Sequence, residues 1–496
     1  MKAKLFLGLA VLFLGGAGVF AGPARPNIVL IVADDLGFGD TGCYGATRIP
    51  TPNIDRLGRE GLRFTDMHAT SATCTPSRYA LLTGQYPWRK KGTGILPGDA
   101  PLIIGTNQAT MASILKRADY RTGVVGKWHL GLGGPGRADW NGEIKPGPLE
   151  LGFDYSFIMA ATGDRVPCVY IENRRVAGLE ASDPIRVSYQ EQIGNEPTGK
   201  EHPELLKMKF SHGHDGTIVD GISRIGFMSG GRAALWKDED KADIITRKAV
   251  DFIGRNAGRP FFLYFATHDP HVPRVPHPRF VGKSGCGLRG DVIVEFDWCV
   301  GEILSELERL KLAGNTLVIV TSDNGPVLDD GYADGAVKDA NGHKPAGPLR
   351  GGKYSIYEGG TRVPFILRWP GRVKPGVSDA LICLMDLPAT FAALTGEKLA
   401  AGEAPDSRNV LAALLGETKS ARDELVEHDG FQVLGFRDGL WKYISPELLD
   451  APGSRRGPKA QLYDLGTDLG ESNNLAPGQA EKIKELSKSL QKARQP

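Results

Sequence analysis

The residues with chemical reach gather at the ends of apolar runs. Asp34-Asp35 follow Asn27-Ile28-Val29-Leu30-Ile31-Val32-Ala33, Lys127 and His129 follow Thr122-Gly123-Val124-Val125, and Asp323-Asn324 follow Thr316-Leu317-Val318-Ile319-Val320. His268 arrives the same way, after Phe261-Phe262-Leu263-Tyr264-Phe265. Paired carboxylates at a strand end suit a hard cation, whose charge answers their mutual repulsion. Lys127 and His129, two positions apart, put two basic groups on one side of a strand end. The remaining reactive group is Cys74, in Cys74-Thr75-Pro76-Ser77-Arg78 followed by Tyr79-Ala80-Leu81-Leu82-Thr83-Gly84. Read as a first helical residue, Pro76 sacrifices no hydrogen bond, and Gly84 can close the helix. Cys74 then stands at the positive end of a helix with the Arg78 guanidinium nearby, a place for a thiolate or a bound tetrahedral oxyanion. A buried structural cysteine is the plainer alternative for any single thiol.

Other motifs carry less. Gly37-Phe38-Gly39-Asp40-Thr41-Gly42 satisfies the G-x-G-x-x-G dinucleotide pattern, but Asp34, Asp35 and Asp40 would meet a pyrophosphate with like charge. The glycine-rich stretch that holds Leu349-Arg350-Gly351-Gly352-Lys353 and Glu358-Gly359-Gly360-Thr361-Arg362-Val363-Pro364 lacks the Gly-Lys-Ser/Thr ending of a nucleotide loop. His268 and His271 form a His-x-x-His pair, a weak zinc signal. The six cysteines, at 43, 74, 168, 286, 299 and 383, include no Cys-x-x-Cys pair, so neither a disulfide scaffold nor a zinc ribbon is expected.

Something must bring these strand ends together. Apolar strands that read as buried on both faces alternate with helical stretches over 51–61, 107–118, 239–254 and 291–312. That alternation predicts an α/β fold, a large, mostly parallel sheet sandwiched by helices. Sites in such sheets form beyond the C-terminal ends of the strands. Residues 133–235 are poor in periodicity and rich in Gly, Pro and charge, and read as an insertion that carries substrate loops. From 416 to 496 the texture changes to a hairpin around Asp438-Gly439, a strand over 461–465 and a charged helix over 479–494, a smaller antiparallel α+β domain after a main domain over 22–415.

A basic start, Met1-Lys2-Ala3-Lys4, precedes an apolar run and the small-residue end Val19-Phe20-Ala21. This reads as an export signal over residues 1–21, so the mature protein is expected in the periplasm or secreted. The run is short for a membrane span and is weakened by Gly15, Gly16 and Gly18, so no transmembrane anchor is expected after cleavage. Loss of Lys2 and Lys4 takes Lys+Arg from 60 to 58, equal to the 58 Asp+Glu. A balanced chain without long basic runs speaks against nucleic acid as a partner.

Cys-x-Pro-x-Arg with Leu-Leu-Thr-Gly closely resembles the signature of the type I sulfatases, which belong to the alkaline-phosphatase-like superfamily. The resemblance extends to residues 27–40, to Gly126-Lys127-Trp128-His129-Leu130, His268 and Ser322-Asp323-Asn324-Gly325, and to Lys353 with 358–364. It departs at Asp119, where the family usually has Gly, and a local turn change is expected there. The resemblance implies that a maturing enzyme oxidises Cys74 to formylglycine. It implies that Asp34, Asp35, Asp323, Asn324 and the modified Cys74 bind one divalent cation, Ca²⁺ in preference to Mg²⁺. Arg78 would hold the aldehyde hydrate, Lys127 and Lys353 the sulfate, and a sulfo-enzyme intermediate would form. His129 would act as the base that releases sulfate, and His268 with Lys353 would protonate the leaving alcohol. The implied substrate is a sulfate monoester of a carbohydrate, with 6-O-sulfated galactose or N-acetylgalactosamine foremost, or a small sulfate ester. Two rivals stand beside this reading: a phosphate or phosphonate ester hydrolase of the same superfamily, and a non-catalytic binder of sulfated glycans.

Overall fold

The computed structural model describes residues 25–449 and 459–495. The expected export signal lies outside them. The fold is built on a ten-stranded sheet in the order Gly376–Ser378, Leu62–Phe64, Phe365–Arg368, Thr316–Ser322, Asn27–Ala33, Phe261–Ala266, Arg121–Lys127, Tyr155–Met159, Tyr170–Glu172, Arg175–Val176. From Thr316–Ser322 to Tyr155–Met159 the neighbours are all parallel. Antiparallel pairing begins on either side of that block, at Phe365–Arg368 and at Tyr170–Glu172. The central strand Asn27–Ala33 is buried throughout because its apolar residues serve two cores. Ile28, Leu30 and Val32 pack with Tyr79, Leu82, Met111 and Phe391 on one face. Val29, Ile31 and Ala33 pack with Leu57, Ile245, Phe252, Phe296 and Val300 on the other.

The register is what matters for the site. Ala33 pairs with Ser322, Val32 with Ala266, and Ala266 with Gly126. Four neighbouring strands therefore end at one level, and the polar residues that follow them emerge on one edge of the sheet.

Three local expectations change. The stretch 133–235 contributes Tyr155–Met159, Tyr170–Glu172 and Arg175–Val176 to the main sheet, so part of it is framework rather than loop. Its strands are short, and two of them are hairpin partners at the sheet edge, which leaves little periodicity to read. The helix expected over 107–118 spans only Met111–Arg117, because Thr110 caps it: its hydroxyl accepts the Ser113 amide at 3.1 Å while Ser113 Oγ accepts the Thr110 amide at 2.9 Å. Asp119, in place of the family's glycine, keeps the left-handed backbone that glycine would favour, with φ 60°.

The C-terminal part forms a four-stranded antiparallel sheet of Glu424–His428, Val433–Asp438, Trp441–Leu448 and Gln461–Asp464. The helix Ala480–Ala493 covers it through Leu486 and Leu490, which meet Leu425, Phe436 and Tyr443. All six cysteines are unpaired.

Candidate active site

Cys74 is the first residue of the buried helix Cys74–Thr83, with Thr73 as its cap. Pro76 is thus the third helical residue rather than the first, which loses nothing because the amides of the opening turn have no helical partner. Gly84 closes the helix at φ 63°, its amide donating to the Ala80 carbonyl at 2.8 Å. Burial pushes the Cys74 thiol far above its usual range, more than Lys127 and Lys353 pull it down. The thiolate reading therefore fails: desolvation outweighs both the helix end and the nearby ammonium groups. Nor is Cys74 a packing residue alone, since its Sγ lies 3.6 Å from Asp34 Oδ1.

Around that sulfur the structure gathers the acids expected from the strand ends. Ligand atoms of Asp34, Asp35, Cys74 and His271 lie within 4.8 Å of one another. The Asp35 amide donates to Asp323 Oδ1 at 3.3 Å, and Asn324 Nδ2 donates to Asp35 Oδ1 at 2.7 Å. Asn324 Oδ1 is left buried with no hydrogen-bond partner. Burial pushes Asp34 up to about 8; Lys127 opposes the shift and Asp323 and Asp35 reinforce it. Asp35 moves the same way, by burial, against Lys353. Asp323 alone stays below the usual carboxylate range, because Arg78 and Lys127 overcome its burial. With Asp330, which shares Lys353 with Asp35, four carboxylates face the three cations Arg78, Lys127 and Lys353, and the Asn324 amide oxygen is orphaned. The oxygens of Asp34, Asp35, Asp323 and Asn324 fit a hard divalent cation, while the Cys74 sulfur and the His271 nitrogen that share the cluster are softer donors.

The cations interleave with these acids. Arg78 donates to Asp323 Oδ2 from Nε at 2.8 Å and holds it again through Nη2 at 2.7 Å. Its Nη1 donates to the Lys127 carbonyl and the Tyr264 hydroxyl, both at 3.3 Å. Lys127 pairs with Asp34, and Lys353 Nζ donates to Asp35 Oδ2 and Asp330 Oδ2, both at 2.8 Å. Burial pulls Lys353 down, but Asp330 and Asp35 more than offset it, so it stays protonated.

His129 Nε2 faces the Leu96 carbonyl at 2.9 Å, an acceptor only, so this nitrogen carries the proton. Its Nδ1 is buried without a partner, a free lone pair. Burial, then Lys127 and Arg165, hold the ring well below its usual range and so neutral. His268 is also kept neutral by burial and by Lys241 and Lys127, with both ring nitrogens unpartnered. Of the two groups expected to protonate a leaving alcohol, Lys353 alone holds an excess proton.

Backbone geometry marks the same place. Asp35, His129 and Tyr354 adopt φ of 67°, 55° and 70°, conformations that cost about 1–3 kcal/mol each and concentrate at functional sites.

The structure therefore brings together Asp34, Asp35, Cys74, Arg78, Lys127, Asp323, Asn324 and Lys353, with His129 and His268 delivered by adjoining strand ends. Asp40 is not among them; it pairs with Arg289 and His343. Sequence reasoning underrated His271, whose His-x-x-His spacing hinted at zinc while its ring joins the acids. It missed Asp330 and Tyr264 altogether. The acid pair Asp329-Asp330 was a signal, but Tyr264 inside an apolar strand gave none.

The protein-family profile described as Sulfatase matches residues 26–397. An N-acetylgalactosamine-6-O-sulfatase of Bacteroides thetaiotaomicron is 54% identical over 477 residues, covering 94% of this chain and 93% of that protein. Human arylsulfatase A is 32% identical, over 94% of this chain and 86% of its own length. A solved structure from work on the metabolism of multiple glycosaminoglycans by Bacteroides thetaiotaomicron superposes with a TM-score of 0.91 at 54% identity, covering 95% of this chain and 99% of that one. With the acid cluster, Cys74 and the interleaved cations already placed at the end of the parallel sheet, these matches show that the chain belongs to the sulfatase family and is a sulfuric ester hydrolase.

Proposed function

We propose that the protein removes the 6-sulfate from N-acetylgalactosamine or galactose units of a sulfated carbohydrate, after export and after oxidation of Cys74 to formylglycine by a maturing enzyme. The substrate rests on the 54% identity to an N-acetylgalactosamine-6-O-sulfatase over nearly the full length of both chains. The chemistry rests on one juxtaposition, Cys74 Sγ at 3.6 Å from a carboxylate of the acid cluster. Export rests on the pattern of residues 1–21.

Asp34, Asp35, Asp323 and Asn324 would hold the divalent cation, which we take as Ca²⁺ and which supplies Lewis-acid polarisation at the sulfate and a lowered hydroxyl pKa beside it. Formylglycine supplies a hydrated aldehyde, whose second hydroxyl allows sulfate to leave by C–O cleavage where serine would be left as a stable ester. The residues of the chain do the rest. Lys127 and Lys353 bind the sulfate oxygens and offset the charge that collects there during attack at sulfur. Arg78 holds Asp323 in place and the hydrate beside it. The Nδ1 lone pair of His129 takes the proton whose loss releases sulfate. Lys353, paired with two carboxylates yet still protonated, donates to the leaving alcohol, and neutral His268 hydrogen-bonds the same oxygen.

The test is turnover of N-acetylgalactosamine 6-sulfate against its 4-sulfate and 6-phosphate analogues, with the mass of the tryptic peptide spanning Cys74 measured on the same preparation. The expected result is release of sulfate from the 6-sulfate only, an aldehyde at Cys74, and loss of roughly three orders of magnitude or more in kcat for Cys74→Ala. Full activity of a preparation whose Cys74 is entirely thiol would overturn the formylglycine reading.

A further inference from the structure

A groove of about 1200 Å³ opens between the segment 85–94, the C-terminal sheet and the end of the last helix. Five cations, Arg89, Lys90, Lys91, Lys492 and Arg494, line it against one carboxylate, Asp406. Asp406 is already occupied by Arg89 Nε, at 3.0 and 3.1 Å to its two oxygens. Lys90, Lys91 and Lys492 have no ion-pair partner among the described residues. In a chain whose charges nearly balance, such a concentration calls for an anion.

The groove joins the site by two routes. Its floor includes His428 and Gly430, which pack on Ser71 and Thr73, just ahead of Cys74. His428 is 5% exposed, yet its Nε2 has no hydrogen-bond partner. Its wall includes Phe431, which is 53% exposed and packs with Tyr354 at a centroid distance of 5.9 Å. Lys353 Nζ lies 5.2 Å from the centre of the Tyr354 ring. An exposed aromatic pair thus leads from the lysine of the sulfate site into a cationic trough. Aromatic faces pack on the apolar faces of pyranose rings, a buried imidazole nitrogen seeks a hydroxyl, and free ammonium groups seek carboxylate or sulfate.

We propose that this groove is a binding site for the next sugars of an acidic glycan chain, with Tyr354 and Phe431 stacking on a pyranose and Lys90 and Lys91 meeting a carboxylate or sulfate beyond the unit being desulfated. The inference rests on the carbohydrate reading above and deepens it: the substrate is an oligomer or polymer with a second anion, rather than a lone sugar.

Calorimetric titration of the full-length Cys74→Ala protein, which holds ligand without turnover, tests this with two probes, chondroitin 6-sulfate tetrasaccharide and N-acetylgalactosamine 6-sulfate. In the background of Lys90→Ala with Lys91→Ala, the tetrasaccharide Kd is expected to rise about ten-fold and the ratio of the two Kd values to move with it. Phe431→Ala is expected to shift the same ratio in the same direction. An unchanged ratio in both variants, whether the two affinities fall together or neither moves, would overturn the proposal. If the native enzyme turned over neither compound, the N-acetylgalactosamine 6-sulfate reading would fall, while the titration would still decide whether the groove binds acidic glycans.

Discussion

Asn324 shows what a single side chain contributes. Its amide nitrogen is committed to Asp35 and to the Gly325 carbonyl, at 2.7 and 2.9 Å, which fixes the orientation of the oxygen. A buried oxygen without a donor is costly, and a cation relieves it. Excess Ca²⁺ should therefore stabilise the native protein, by about 2.7 kcal/mol at one hundred times the Kd. In Asn324→Ala the upward shift in Tm on adding Ca²⁺ should shrink or vanish, and chelation should lower Tm in the native protein only. Equal Ca²⁺ responses in the two proteins would exclude Asn324 from the cation site. Asp34, at about 8, makes the complementary point. Its burial is the larger cause, and Lys127, though paired with it, does not offset the lost hydration.

At the scale of elements, the site depends on strands ending at one level. Gly126 is the residue that allows it. Its φ is 105°, and a Cβ there would stand 1.8 Å from the Ala266 carbonyl oxygen of the neighbouring strand. Gly126→Ala must push apart Arg121–Lys127 and Phe261–Ala266, the strands that deliver Lys127, His129 and His268. The expected outcome is a loss of about 2 kcal/mol or more in stability by urea titration, with kcat/KM falling further than the stability loss explains. A variant that kept native kcat/KM would show that the registration of these strand ends is not needed for activity. The helix Cys74–Thr83 illustrates the opposite case: its closing glycine and its burial agree, and a proline in its opening turn removes no helical hydrogen bond.

Across the whole molecule, the main body and the C-terminal sheet are joined by buried charge. Lys442 Nζ lies 2.9, 2.7 and 3.3 Å from carboxylate oxygens of Glu358, Glu427 and Glu471. Arg437 reaches Asp66 Oδ2 at 3.1 Å, and His68 lies between Asp66 and Glu427, at 2.9 Å from each. Arg362 and Arg437 also reach Glu358, at 2.6 and 3.4 Å, but no second lysine or arginine pairs with Glu471 among the described residues. Burial pushes Glu471 up to about 7 against the pull of Lys442, so it is the one that gives up charge. Glu358 and Glu427 are buried too, but Lys442 holds both below the usual range. Depressed carboxyls contribute stability that is fully present above their unfolded pKa, near ~4.3, and is lost as pH falls through their folded values. Lys442→Met should therefore cost about 3–5 kcal/mol at pH 7, and the gap to the native protein should narrow as pH falls below ~4. Chemical denaturation across that pH range checks the sign; a gap that widened toward acid would contradict it. The same network holds Glu358 at the start of the short helix Glu358–Thr361, five residues after Lys353, so the C-terminal sheet braces the site from behind.

The sequence by itself determined the α/β class, four of the five strands of the parallel block (Tyr155–Met159 being the exception) and the identity of the residues at their ends, because β-branched apolar runs and the polar residues after them are local patterns. It also placed a short helix just after Cys74 and closed it at Gly84, while the start at Cys74 itself came from the structure. Tertiary structure decided what those residues mean to one another. Strand order and register, set by pairings between segments hundreds of residues apart, place Asp34 beside Lys127 and Asn324 beside Asp35. Burial then turns Cys74 from a candidate thiolate into a protonated thiol and His268 from an expected acid into a neutral ring. The place of His271 and Asp330 in the site, and the groove beside Phe431, came from the fold, since no local spacing encodes which distant loops share a wall.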